Sequence, residues 1–215
     1  VTTAPMSQAE GDHVVTVFSD YVCPFCYLGR ASLRSYLEAT DDPPAVEWHP
    51  FDLRGQKRGP DGTIREDVDD GKDEDYYERA RENVRRLADQ YGVEMVVDRD
   101  RDVDSFRAQQ LALAVQTEYD RETFAALDDA IFDAHWRGER DVGDPDVLVE
   151  LAGEAGIPED DARAILEDDE REAALRDRFD AARQHGVTGV PTFVYDGYAA
   201  RGAVPPEQLR QLIQG

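Results

Sequence analysis

Cys23-Pro24-Phe25-Cys26 contains the only two cysteines of the 215-residue chain. Two thiols at this spacing can close and reopen a disulfide, so the chemistry they offer is thiol–disulfide exchange. The thiolate is the attacking species. It is favoured where the unsatisfied N–H groups and the dipole of a helix N-terminus meet a sulfur. The neighbouring residues predict that setting. Val14-Val15-Thr16-Val17-Phe18 is a short β-branched apolar run that reads as a buried strand, and Tyr27 to Leu37 reads as a helix. Cys23, nearer the helix end, is expected to be the exposed nucleophile. Cys26, one turn deeper, is expected to resolve the mixed disulfide. The intervening Pro24 and Phe25 are expected to help dock substrate, Phe25 as an apolar surface.

Competing uses of the pair are weaker. A structural zinc ion needs four ligands, and His13, His49, His135 and His185 are scattered along the chain, so no metal site is expected. A chain of this length does not need a disulfide to hold a core. Two inert buried cysteines fit poorly with a strand-to-helix junction. Asp20, three residues before Cys23, is either a surface carboxylate or a buried group able to take the Cys26 proton.

The elements around the pair follow in a definite order. Residues 13–19 form a strand, 23–39 a helix and 45–51 a second strand, with Asp41-Asp42-Pro43-Pro44 as the break between the last two. A glycine- and charge-rich loop runs from Gly55 to Gly62. The pattern then becomes helical: 74–91, 104–118 with Asp104 as the cap, 121–137, a helix opened by Asp144-Pro145, a short one at Ile157-Pro158-Glu159, and 168–185. The Glu and Arg runs of Glu167 to Arg183 read as a solvated face, and His135-Trp136 as core and rim. Strand character returns at Val190 to Tyr195. Asp196-Gly197 is a hairpin turn, Tyr198 to Arg201 pairs back, and Pro205 opens a last helix through Ile213.

A β-α-β half and a β-β-α half make an α/β, thioredoxin-like fold with a large all-helical insertion. The expected division is a thioredoxin-like domain from 13–63 with 187–215, and a helical insertion domain from 64–186. In Gly189-Val190-Pro191-Thr192 a proline enters a strand, where it cannot donate to the ladder. The thioredoxin-like arrangement accommodates it as a cis-proline facing the dithiol, so Val190–Pro191 is expected to be cis. Val190 is then expected to offer backbone hydrogen bonds to a bound peptide or thiol.

Three stretches together resemble the DsbA family, and more closely its FrnE-like branch. They are Ser19-Asp20-Tyr21-Val22-Cys23-Pro24-Phe25-Cys26-Tyr27-Leu28-Gly29, Trp48-His49-Pro50-Phe51-Asp52-Leu53 and Gly186-Val187-Thr188-Gly189-Val190-Pro191-Thr192-Phe193. Asp141-Val142-Gly143-Asp144-Pro145 and Leu148 match too, and the resemblance runs from about Val14 to Ile213. It implies a protein disulfide oxidoreductase, with Cys23 and Cys26 catalytic and Pro24, Phe25, Val190 and Pro191 binding substrate. No cofactor is implied beyond the redox-active disulfide, although glutathione stays open as a thiol ligand. The implied partners are protein or small-molecule thiols and disulfides, and the protein is expected to be a monomer or homodimer.

The branch neighbours 2-hydroxychromene-2-carboxylate isomerases and kappa-class glutathione transferases. These typically carry serine at the first active-site position, so the two cysteines here favour disulfide exchange. Many FrnE-like proteins carry Asn-Thr-Phe-x-Ala-His-Arg where this chain has Asp104-Ser105-Phe106-Arg107-Ala108-Gln109-Gln110. The change weakens the case for a small-molecule site built there. A non-catalytic chaperone or binding module is the remaining alternative.

The chain carries 48 acidic against 24 basic residues, a net charge of −24, and Lys57 and Lys72 are its only lysines. This sign disfavours nucleic-acid binding. The acid is spread over the whole chain, with only short runs such as Asp67 to Asp75, which disfavours a dedicated site for a basic partner or a disordered acidic tail. Adaptation to high salt remains, where self-repulsion is screened. In this the chain resembles proteins of halophilic archaea. No apolar run approaches the length of a membrane span, and Val1 to His13 lacks the pattern of a signal peptide, although Met6 offers an alternative start. A cytoplasmic protein is expected.

Overall fold

The computed structural model describes residues 13–59, 62–65, 67–68, 71, 73–98 and 103–215. Met6, Lys72 and part of the acidic run from Asp67 to Asp75 lie outside the described residues.

A four-stranded sheet carries the site. β1 (Val14–Ser19) pairs in parallel with β2 (Ala45–Pro50) and antiparallel with β3 (Thr192–Tyr195), and β3 continues to β4 (Tyr198–Arg201), giving the order β2-β1-β3-β4. The β3–β4 hairpin turns at Asp196 and Gly197, both at positive φ, which matches the right-handed twist of the flanking strands. α1 (Pro24–Glu38) follows β1, and α8 (Pro206–Gln214) closes the chain. The two helices cover one sheet face, where Val15, Val17 and Phe193 pack with Leu33, Tyr36 and Leu209. On the opposite face, Phe18 packs with Phe51, Val187 and Ala182 of α7 (Asp169–Gln184). The fold is thioredoxin-like.

Between β2 and β3 come α2 (Glu74–Tyr91), α3 (Phe106–Glu118), α4 (Arg121–Trp136), α5 (Pro145–Glu154), α6 (Glu159–Leu166) and α7. Local chemistry sets most of their ends. Asp73, Asp120, Asp144 and Asp168 each accept a backbone N–H of the first turn, and Gly92 ends α2 in the left-handed conformation. α3 departs from the sequence reading. It begins at Phe106, and Ser105 rather than Asp104 stands at the N-cap, with its hydroxyl committed to Asp20 and not to the helix. Asp104 still accepts the Phe106 N–H at 3.1 Å. β3 likewise begins two residues later than the apolar run, at Thr192, since Val190–Pro191 forms the bend before it.

The largest apolar core contains Tyr21, Cys23, Cys26, Tyr27 and Trp48 together with Leu111 and Val115 of α3, Leu127, Ile131 and Phe132 of α4, and Leu148 of α5. The dithiol end of α1 and the helical segment therefore share one core. Polar ties reinforce it. Tyr21 Oη and Arg30 Nε both donate to Asp128, at 3.1 and 2.8 Å, Tyr27 Oη donates to Asp133 at 2.7 Å, and Trp136 Nε1 donates to the Tyr21 carbonyl at 2.9 Å. No helix among the described residues is long and apolar enough to cross a membrane.

Candidate active site

Cys23 is the N-cap of α1 and Pro24 its first residue, a position where the missing proline N–H costs nothing. The Cys23 N–H donates to the Asp20 carbonyl at 3.1 Å, and the Cys23 carbonyl accepts from Cys26 N at 3.0 Å and Tyr27 N at 3.3 Å. The turn from Asp20 to Tyr27 is thus closed by its own backbone, with both sulfurs at the positive end of the helix.

The Cys23 thiol donates to the carbonyl of Val190 at 3.6 Å, across 167 residues of sequence. The Val190–Pro191 peptide is cis. The approach depends on Gly29, one turn into α1. A Cβ there would lie 2.9 Å from Pro191 Cγ and 3.1 Å from Phe193 Cζ. A glycine inside a helix is unfavourable unless something must come close, and here the cis-proline loop does.

Burial departs from the sequence reading. Cys23 is only 3% exposed and Cys26 1%, so Cys23 is not the openly exposed nucleophile expected from its place at the helix end. The reason is tertiary: Val22, Phe25 and Val190 pack around the pair with the helical segment behind it. Half-buried Val22, Pro24, Phe25 and Val190 form the rim. Phe25 also reaches the apolar cluster of Leu28, Val84 and Ala88, so part of its ring is structural. Burial pushes the Cys26 thiol well above its ordinary value and the neighbouring Cys23 adds to the effect, while the Asp20 amide and the Ser19 hydroxyl facing the sulfur oppose it.

Asp20 is buried, 1% exposed, and its carboxylate is turned to structure rather than toward Cys26. It accepts from Val22 N at 3.2 Å, from Leu53 N at 2.9 Å and from the Ser105 hydroxyl. Burial pushes its pKa up to about 6 against these hydrogen bonds, with Asp52 nearby adding repulsion. Asp52 is itself held by Arg58 at 2.7 Å, and Arg58 continues to Asp104 at 2.8 Å and lies over the Phe106 ring. The altered segment at the start of α3 therefore has defined tasks. Gln109 pairs with both the N–H and the carbonyl of Phe51, and Gln110 donates to the carbonyls of Ile165 and Asp168.

The six residues singled out from sequence, Cys23, Pro24, Phe25, Cys26, Val190 and Pro191, come together at this one place. Sequence reasoning missed the roles of Gly29, Ser19, Ser105 and Trp136. Only Gly29 carried a local signal, as a glycine within a helical pattern. Trp48 and Phe51 are buried in the core, and His135 and Trp136 are buried at the end of α4. Among the described residues, no group of three or more His, Cys, Asp and Glu side chains forms a metal-ligand set.

A cysteine pair at the first turn of α1, facing a cis-proline across a thioredoxin-like sheet, defines the class. The sequence profile of the DSBA-like thioredoxin domain matches residues 14–214, and the chain belongs to that family. The protein YwbO of Bacillus subtilis (strain 168) is 27% identical over 206 residues, 93% of this chain and 94% of that one. The crystal structure of a probable DsbA oxidoreductase from Streptomyces coelicolor is 30% identical, with a TM-score of 0.73 over 94% of this chain and 88% of that one. A 2-hydroxychromene-2-carboxylate isomerase shares the fold at 22% identity, with a TM-score of 0.70 over 93% of this chain and 92% of that one.

Proposed function

We propose that the protein is an enzyme, a thiol–disulfide oxidoreductase of the FrnE-like branch, cycling Cys23 and Cys26 between dithiol and disulfide. The observation that carries this reading is the Cys23 thiol at the N-cap of α1, 3.6 Å from the carbonyl of Val190 beside cis-Pro191. In the reductase direction, the Cys23 thiolate attacks a substrate disulfide and expels one substrate thiolate, which takes up a proton. Cys26 loses its thiol proton to solvent, and the resulting thiolate attacks the Cys23 sulfur. The Cys23–substrate bond breaks, the Cys23–Cys26 bond forms, and the second substrate sulfur leaves as a thiolate and is protonated. The protein dithiol is oxidised and the substrate disulfide reduced, and the oxidase direction is the reverse. Backbone groups of Val190 hold the substrate, and the apolar rim of Phe25 and Val22 receives its side chains.

Cys23→Ser is expected to abolish exchange with a fluorescent disulfide peptide, and Cys26→Ser to accumulate mixed disulfides through Cys23. Full activity in Cys23→Ser refutes the mechanism. The shared fold of the chromene-carboxylate isomerase supports a second reading, a small-molecule isomerase or glutathione-dependent transferase. That reading requires activity to survive Cys26→Ser. Against it, Ser105, Gln109 and Gln110 are already engaged by Asp20 and by backbone groups. The setting we infer is the salt-rich cytoplasm of a halophilic archaeon, supported by the net charge of −24 with two lysines.

A further inference from the structure

One buried charged side chain near the dithiol takes no part in the exchange steps. Asp20 is 1% exposed, and the hydrogen bonds to its carboxylate come from two backbone N–H groups and a hydroxyl rather than from a cation. Its backbone belongs to the reacting turn: its carbonyl accepts the Cys23 N–H at 3.1 Å, and the Cys23 carbonyl in turn accepts the Cys26 N–H at 3.0 Å. Its carboxylate reaches away from that turn to two other segments, the Leu53 N–H after β2 and the Ser105 hydroxyl at the N-cap of α3. One residue thus ties the turn that carries both sulfurs to a hydroxyl 85 positions further along the chain.

We propose that Asp20 is a positioning residue for disulfide exchange, and that it does this through Ser105. The carboxylate clamps the turn between the β2–α2 loop and α3, which holds the Asp20 carbonyl on the Cys23 N–H and, through the Cys23 carbonyl, the first turn that carries Cys26. The inference rests on the exchange reading only for its consequence; the clamp itself is a property of the Cys26 environment.

The charged and titratable groups around Asp20 come from three elements. Cys23, Cys26 and Tyr21 lie on its own turn, and burial together with Asp128 pushes Tyr21 up, so that it stays neutral. Asp52 and Arg58 approach from the loop after β2, paired with each other. Asp104, adjoining α3, is paired with Arg58. Removing the Ser105 hydroxyl changes no formal charge. It loosens the clamp and leaves the carboxylate less compensated, and both effects disfavour a thiolate on Cys26.

The test uses the full chain in a Cys23→Ser background, where Cys26 is the sole thiol, titrated by thiolate absorbance. Ser105→Ala is expected to lower the Cys26 thiolate fraction at a given pH by about threefold or more. Ser105→Thr, which keeps the hydroxyl, is expected to restore it. In an Asp20→Asn background the Ser105→Ala effect is expected to vanish, because the two residues act as a unit. An unmoved titration in a folded Ser105→Ala protein overturns the proposal, as does an equal effect in Asp20→Asn. Whether the wild-type protein exchanges with a disulfide peptide is measured separately. A wild type that does not exchange refutes the functional reading without touching the titration.

Discussion

Two helical glycines make a matched pair of experiments. In Gly29→Ala the new methyl lies 2.9 Å from Pro191 Cγ and 3.1 Å from Phe193 Cζ. Neither atom is the free end of a flexible chain: one belongs to a proline ring, the other to a ring that is fully buried. Overpacking of this kind costs about 1–3 kcal/mol. Alanine in place of glycine returns about 1 kcal/mol of helix propensity, leaving a net loss of about 0–2 kcal/mol. In Gly153→Ala, within α5, nothing lies within 4 Å of the new methyl. That variant keeps the propensity gain of about 0.5–1 kcal/mol unopposed. For a chain of this size each kcal/mol moves the melting temperature by about 2–4 °C. Gly153→Ala is therefore expected to melt a few degrees above Gly29→Ala by differential scanning fluorimetry. The two should also differ in exchange. Relief of the clash moves the Val190–Pro191 loop away from α1, and with it the carbonyl 3.6 Å from the Cys23 sulfur. A misplacement of about 1 Å costs about a hundredfold in rate, which sets the upper bound of the loss. Exchange with a disulfide peptide should fall in Gly29→Ala and stay at the wild-type level in Gly153→Ala. Equal melting temperatures with full exchange in both would refute the argument that Gly29 exists to admit the cis-proline loop.

Arg58→Met should be strongly destabilising, because it leaves the carboxylates of Asp52 and Asp104 without their largely buried cation, a loss of about 3 kcal/mol by urea unfolding. The loss should shrink on acidification. The Arg58 guanidinium holds the Asp104 carboxyl below its usual range, so that contribution is present above about pH 4 and disappears as pH falls through the depressed value. A constant difference between wild type and variant from neutral to acid pH would contradict this. Raising potassium chloride from about 0.1 M to about 1 M should raise the melting temperature, since the Debye length falls from about 10 Å to about 3 Å and the repulsion within a net charge of −24 is screened. Unchanged circular dichroism and melting after dialysis into dilute buffer would count against adaptation to salt.

Local chemistry determined a good part of this protein. The spacing of Cys23 and Cys26, the apolar run of β1, the Asp144-Pro145 start of α5 and the Asp196-Gly197 hairpin are all written within a few residues. Each lies where the sequence pattern puts it. Val190–Pro191 could be paired with the dithiol because a proline at a strand entrance is itself a local anomaly. The tertiary structure decided what depends on how elements approach one another. From sequence the cap of α3 is Asp104, and the Ser105 hydroxyl has no assigned task. It serves Asp20, because α3 lies against the turn before α1. Cys23 sits at a helix end, where a lone helix would expose it. It is buried because Val22, Phe25 and Val190 close over it, supported by a core shared with α3, α4 and α5. Trp136 holds the carbonyl of Tyr21 from 115 residues away. Propensity and periodicity describe a segment by its own residues. A buried hydroxyl or carboxylate must instead be satisfied by whatever the packed neighbours bring to it, and that is settled only when distant segments share a core.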